Sequence, residues 1–393
     1  MAHVIGRRQL PVSSPIAAGA LGRAAVAALR ANGESGDGER AALSETLARR
    51  FGASAVALTD SGTSALVLAL QLAVAPGGTV AIPAYACVDL LAAARRAGVR
   101  IRYYDVDPNT LSPDIESVRL ALGRGADAII VAHLYGYPAD LPAVRALADA
   151  HGAVVIEDAA QHAAGSLCGI RLGAFGPLSI LSFGRGKGIT GGRGGALLAT
   201  DQAWGVAVAD WPASVAGSPG WGDLARAAAQ WLVGRPAFYG IPAAIPSLRL
   251  GETVYHDAGE PAPLSAAAAA LVSRAMAGAD IERAARARTA DRLMAALDGA
   301  PSVRIARPIT GGISGFLRLP VLDTLGRAAL PEAGVVRSYP RPLPEEPVGV
   351  ELAQPGEPAM LGARAICDSL WTLPTHRMVG AADIAAIAQW AGV

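Results

Sequence analysis

Residues 181–195 read LSFGRGKGITGGRGG, and Lys187 in their midst is the only lysine in the chain. The chain has 34 basic residues, and the other 33 are arginine. Arginine keeps its proton under all protein conditions, and its guanidinium does not form an imine. Lysine can be desolvated, lose its proton and act as a nucleophilic amine. A single lysine kept in so arginine-rich a chain therefore points to amine chemistry rather than to charge. The glycines around it suggest a phosphate loop at first sight, but the spacing fails. G-x4-G-K-[ST] needs glycine where Leu181 stands and a hydroxyl residue where Gly188 stands. No G-x-G-x-x-G follows the first strand candidate either, so neither a nucleoside-triphosphate loop nor a dinucleotide turn is supported.

Outward from this stretch, residues 53–200 alternate short β-type runs with helical ones. Strands are expected at 54–60, 78–85, 99–107, 126–136, 153–160, 178–183 and 194–201, with helices in SGTSALVLALQLAV, VDLLAAARRAG and DLPAVRALADAHG. The strand runs are almost wholly apolar, the pattern of a parallel sheet covered on both faces. Ligands of such sheets bind beyond the carboxyl ends of the strands. Residues 202–250 hold four of the six tryptophans (Trp204, Trp211, Trp221 and Trp231) and several prolines; they read as a helical, irregular lid or subunit contact. Long Ala-rich helices are expected from Leu264 to Leu297, then a strand in ISGFLRLPVL and a closing helix in AADIAAIAQWAG. The segment 31–40 reads as an exposed loop. Two domains follow, a large one over 10–255 and a smaller C-terminal one over 256–393.

A length of 393 residues, 52% hydrophobic, suits two such cores, and a net charge of +1 with mixed signs excludes a nucleic-acid or polybasic membrane surface. The three cysteines lack CxxC spacing, point to no metal, and suit a reducing compartment. The N-terminal stretch has no apolar h-region, and the longest apolar run is too short to span a bilayer, so a cytoplasmic location is expected.

Pyridoxal 5′-phosphate (PLP) is the common aldehyde partner of such a lysine, and its other needs can be sought in the chain. A carboxylate must keep the pyridine nitrogen protonated so that the ring acts as an electron sink. Asp158, ending the run AVVIED, is placed for that. The phosphate needs a helix N-terminus and hydroxyls. Ser61, Gly62 and Thr63 offer the first, and Ser182 adds a hydroxyl. Gln161 lies three residues beyond Asp158, within reach of the ring's phenolic oxygen.

The motifs SGTSAL, IPAYACVD, DVDPNTL, VAHLYGYPADL, VIEDAAQHAAG, LSFGRGKGITGGRGGALLATD and DSLWTLPTH resemble the DegT/DnrJ/StrS family of PLP-dependent sugar aminotransferases. The resemblance runs from about residue 10 to the C-terminus and is densest over 55–200. It implies a fold type I α/β transferase: a large domain with a seven-stranded, mostly parallel sheet, a smaller C-terminal α+β domain, and a homodimer with sites at the interface. It implies Lys187 as the Schiff-base lysine, Asp158 as the pyridine partner, Gln161 near the ring oxygen, and Ser182, Gly62 and Thr63 at the phosphate. His133 would lie at the cofactor edge, near the substrate. Arg337 and Arg341 are expected to take the donor carboxylate.

Four places depart from the family pattern. Cys87 stands where an aromatic residue usually stacks on the ring. GETVYHD (251–257) lacks the asparagine that reaches the neighbouring subunit's phosphate, with Tyr255 or His256 as replacements. Ser338 replaces the histidine of HYP, and Arg193 stands where Glu is usual. The expected activity moves an amino group from glutamate or glutamine to a keto-sugar, cyclitol or related ketone. Two alternatives stay open: other PLP chemistry on an amino acid (elimination, decarboxylation or condensation), and a non-catalytic regulatory protein on the same fold.

Overall fold

The computed structural model describes residues 7–31, 37–211, 218–245 and 253–393. Helices α1 (Ala18–Ala31) and α2 (Asp37–Phe51) precede the first strand. Of the segment expected to be an exposed loop, residues 32–36 lie outside the described ones, and helix claims both ends.

The main sheet uses β1 (Ala55–Thr59), β2 (Thr79–Pro83), β3 (Arg100–Tyr104), β4 (Ala128–Ala132) and β5 (Val154–Asp158). After a two-strand hairpin, β6 (Ser166–Leu167) and β7 (Ile170–Arg171), come β8 (Leu178–Ser182) and β9 (Gly195–Ala199). The spatial order is β1-β9-β8-β5-β4-β2-β3. Only β9 runs against the rest, pairing antiparallel with both β8 and β1. The seven expected strands are all present, each within a few residues. β2, β4 and β9 are buried along their whole length, which is why their sequences show no alternation.

Helices α3 (Gly62–Ala73), α4 (Asp89–Ala97), α5 (Ile115–Gly123) and α6 (Leu141–His151) cover the sheet. Their caps are those the sequence offers. Ser61, Asp114 and Asp140 accept bonds from amides in the first turns of α3, α5 and α6, and Gly98 and Gly152 close α4 and α6 in the left-handed conformation. The tryptophan-rich segment is helical where described: α7 (Gln202–Ala209), α8 (Trp221–Val233) and α9 (Pro236–Ala243).

The chain then returns to the large body. Pro263 bridges Thr59, and α10 (Ala266–Ala277) packs its alanine face on α1 and α2. Helix α11 (Ala279–Ala296) leads to an antiparallel sheet of β10 (Val303–Ile305), β12 (Arg318–Asp323) and β13 (Leu370–Pro374), while β11 (Gly312–Ile313) pairs back to β6. Helices α12 (Pro347–Leu352), α13 (Leu361–Ser369) and α14 (Ala381–Ala391) complete the chain. We propose dividing the two bodies at Gly278 rather than at 255/256, because α10 buries its apolar face on the large sheet's side. No helix among the described residues is long and apolar enough to cross a membrane.

Candidate active site

The carboxyl ends of β1, β2, β4, β5 and β8 meet along one edge of the sheet, as their parallel pairing requires, and the N-terminus of antiparallel β9 joins them there. Asp60, Cys87, His133, Asp158 and Ser182 all sit at or just beyond these ends. A cleft of about 220 Å³ opens at this edge. Ser61, Gly62, Thr63, Cys87, His133, Asp158, Gln161, Ser182 and Lys187 all line it, so every residue predicted for the cofactor is brought to one place.

The N-terminus of α3 opens onto the cleft, and the first-turn amides of a helix have no intrahelical acceptor. Gly62 is required there. A Cβ at this position would lie 2.7 Å from the Ser182 Cβ and 2.9 Å from its Oγ. The helix start is thus pressed against the end of β8, and the Ser182 hydroxyl stands beside the amides.

Lys187 is carried between Gly186 and Gly188, both left-handed with φ of 82° and 81°. The loop around it closes on Phe183, whose carbonyl accepts from the Gly191 amide (3.0 Å) and the Thr190 hydroxyl (3.2 Å). Among the described residues no hydrogen bond or ion pair holds the Lys187 amine. Burial raises the pKa of Asp158; the Ala160 amide at 2.9 Å and the charge of Lys187 act against this. A carboxylate in this state is stabilised by any cation that enters beside it.

Gln161 is clamped. Its Oε1 accepts from the Tyr135 amide (3.0 Å) and its Nε2 donates to the Tyr339 hydroxyl (2.7 Å). The Tyr135 and Tyr85 hydroxyls lie 2.6 Å apart, and burial pushes the pKa of Tyr85, Tyr135 and Tyr339 up, so all three stay protonated. Tyr135 holds a left-handed backbone (φ 55°), a cost of about 1–3 kcal/mol that aims its amide at Gln161. Burial likewise raises the Cys87 thiol, with Asp89 adding to it and Lys187 opposing. Cys87 therefore meets the cleft as a neutral, polarizable surface.

Three substrate expectations need correction. Both ring nitrogens of His133 are engaged: Nδ1 accepts from the Ala139 amide (3.0 Å), and Nε2 faces Glu157 Oε1 at 2.9 Å. The ring lines the cleft wall and leaves no nitrogen for a substrate. Arg337 bonds the Cys367 carbonyl and lies over the Trp371 ring at 4.6 Å, away from the cleft. Arg341 is exposed and lines no cavity at the site. Besides Arg193 in the cleft itself, the arginines that face the site border a second cavity of about 940 Å³, which shares Cys87, Gln161 and Lys187 with the cleft. They are Arg185, Arg226, Arg235, Arg286, Arg318 and Arg377; the only carboxylate among the described lining residues is Glu282, itself paired with Arg377. Their dispersal over five separate segments kept them from being read as a group.

Of the GETVYHD stretch, Gly251 and Glu252 lie outside the described residues, while both replacements considered for the missing asparagine are described. Tyr255 donates to Asp257 (2.7 Å), His256 is exposed, and neither lines the chain's own cleft. Ser338 accepts from Arg318 (2.9 Å) at the second cavity.

Behind the cleft, His162 is buried against the edge of Phe51 and accepts the Ala164 amide on Nδ1. Burial depresses its pKa to about 3, and His376 is depressed for the same first reason. Such a histidine is protonated first in the unfolded chain. Its stabilising share is full above pH 6.5 and lost as pH falls toward 3, at about 1.4 kcal/mol per pH unit. Urea midpoints measured from pH 7 to pH 4 should fall accordingly, and His162→Gln should flatten that slope.

The residues fit PLP. The fit rests on an unpartnered amine, a half-buried carboxylate with no ion-pair partner among the described residues, and a helix N-terminus pressed against a serine hydroxyl.

Residues 22–213 match the sequence profile of the DegT/DnrJ/EryC1/StrS aminotransferase family. A UDP-N-acetyl-3-dehydro-alpha-D-glucosamine 3-aminotransferase of Acidithiobacillus ferrooxidans is 37% identical over 36% of this chain and 39% of its own. An L-glutamine:2-deoxy-scyllo-inosose aminotransferase of Streptomyces kanamyceticus is 36% identical over 36% of this chain and 34% of its own. These matches span less than two-fifths of the relatives' length. In fold the likeness is nearly complete. A DegT DnrJ EryC1 StrS aminotransferase from Brucella abortus superposes with a TM-score of 0.74 at 22% identity, over 95% of both chains. The sugar aminotransferase CalS13 from Micromonospora echinospora gives 0.73 at 20% identity, over 98% of this chain and 99% of that one. The segment that builds the cleft, residues 22–213, thus matches the DegT/DnrJ/EryC1/StrS aminotransferase family, and almost the whole chain shares the fold of a solved aminotransferase of that name.

Proposed function

We propose that the chain is a PLP-dependent aminotransferase that moves an amino group from glutamate or glutamine to a keto-sugar, cyclitol or related ketone. The observation that carries this is the free amine of Lys187 in one cleft with the half-buried carboxylate of Asp158 and the N-terminus of α3. The names of the two curated relatives, one acting on a sugar nucleotide and one on a cyclitol, support the class of acceptor.

Lys187 would carry PLP, with Asp158 at its ring nitrogen, Gln161 at its phenolic edge, Cys87 against its face, and Ser61, Gly62, Thr63 and Ser182 at its phosphate. When bound, PLP supplies an aldehyde that condenses with amines and a ring that accepts the electron pair of a broken C–H bond. The chain's own residues supply the rest. Lys187 Nζ, on a four-carbon stem without a fixed partner, takes the proton from the donor's α-carbon and returns one to the acceptor's. The Asp158 carboxylate holds a proton on the ring nitrogen. The Tyr135–Gln161–Tyr339 clamp fixes the amide at the ring edge. The arginines of the second cavity favour anionic donors and acceptors. The exposed apolar residues Trp221, Leu232, Phe238 and Ile241 on α8 and α9 support a second copy of the chain as partner.

The test is direct. Purified protein incubated with PLP should absorb near the visible edge, lose that band on adding glutamine or glutamate, and regain it with a keto-sugar or cyclitol ketone. Protein that takes up no PLP refutes the reading. Asp158→Asn keeps the shape and removes the charge; we expect it to bind PLP yet turn over about a hundredfold more slowly.

A further inference from the structure

We infer that Arg193 is a phosphate-binding residue of the cofactor cleft, aimed by Asp60; the inference rests on the PLP reading of that cleft. Arg193 lines the cleft alongside Ser61, Gly62, Thr63 and Ser182, the group that marks its phosphate end. Its backbone is held there, because its neighbour Gly194 bridges Ser61, the N-cap of α3. The guanidinium is oriented on one side. Nε donates to the Asp60 carbonyl (3.0 Å) and Nη2 pairs with the Asp60 carboxylate. Asp60 is fixed in turn. Its Oδ1 accepts from the Ser64 hydroxyl (2.6 Å) and the Ala262 amide (3.4 Å), and its own amide donates to the Ala262 carbonyl (2.7 Å). Nη1 has no partner among the described residues.

Charge gives the reason for a cation here. A helix N-terminus offers about half an elementary charge. A phosphate monoester carries about 1.5 to 2 at neutral pH. Among the described residues lining the cleft, Arg193 and Lys187 are the only lysine or arginine side chains, and Lys187 is committed to the aldehyde. Arg193 therefore supplies charged N–H donors at that end of the cleft from within the chain. Asp60 shares its charge, and the side chain is 43% exposed, so the expected effect is moderate.

The experiment titrates apo-protein with PLP and, separately, with pyridoxal, which lacks the phosphate, following absorbance. Arg193→Gln should weaken PLP about tenfold and leave pyridoxal unchanged. Arg193→Lys should recover part of the loss, and inorganic phosphate should compete with PLP less well in Arg193→Gln than in the wild type. Asp60→Asn should shift PLP affinity in the same direction as Arg193→Gln. Unchanged PLP affinity in Arg193→Gln overturns the inference. So does an equal loss for PLP and pyridoxal, which would mean that the Asp60–Arg193 pair only holds the turn. Wild-type protein that binds neither compound overturns the PLP reading itself, and the inference with it.

Discussion

Lys187→Arg is expected to abolish transamination, by at least about a thousandfold, while leaving the fold intact. The substitution keeps the positive charge and nearly the same reach. It removes only the capacity to become a neutral amine. If Lys187 served as a countercharge for phosphate or substrate, arginine would serve about as well. The loop tolerates the change, because its conformation is set by the two left-handed glycines and by the bonds to the Phe183 carbonyl, none of which involve the lysine side chain. Thermal unfolding at the wild-type temperature, together with loss of the reducible absorbance band and of turnover, is the expected combination. Appreciable turnover in Lys187→Arg would overturn the assignment. A cellular role that survives Lys187→Ala, with no turnover in the wild type, would instead revive the alternative of a regulatory protein on this fold.

The second large effect is on stability. Glu157, fully buried one residue before Asp158, accepts from five donors: His133 Nε2, the amides of Gly173, Phe175 and Gly176, and the Ser179 hydroxyl. Burial works to raise its pKa, but His133 and the backbone amides bring it below the usual carboxylate range. Glu157→Ala leaves those donors buried without an acceptor, a loss of about 3–5 kcal/mol. The damage also reaches the cleft, since the same carboxylate holds His133 and the turn that follows β7. Glu157→Gln, which preserves shape and some acceptor capacity, should cost clearly less in urea denaturation. Equal stability of Glu157→Ala and wild type would show that the network contributes nothing.

Much of this site was legible in the sequence, for reasons that can be given residue by residue. The strands declared themselves because a sheet covered on both faces needs uninterrupted apolar runs such as AIIVA and GALLA. Lys187 stood out through composition, and Asp158 and the SGT turn through their places at strand ends. Features requiring contact between distant segments were not legible. His133 reads as a free imidazole until the Ala139 amide and Glu157 are seen to take both nitrogens. Arg337 and Arg341 sit beside a motif of the site yet turn away from it, whereas Arg318, on β12, faces the cavity. The Ala-rich helix α10 looked like part of the second domain because composition cannot say which body a helix covers.

The reversed strand β9 has a consequence for how this site can vary through descent. Ser182 and Gly195 are partners in register, so both feet of the lysine segment stand on adjacent strands at one edge. A segment returning at once to its own starting edge has almost no slack. An added or deleted residue there cannot be absorbed by a distant helix and must displace the amine itself. Substitutions in that segment away from Lys187 and its two left-handed glycines should therefore be tolerated, while changes of length should be purged. Lineages of this chain should differ in the letters of that segment long before they differ in its span.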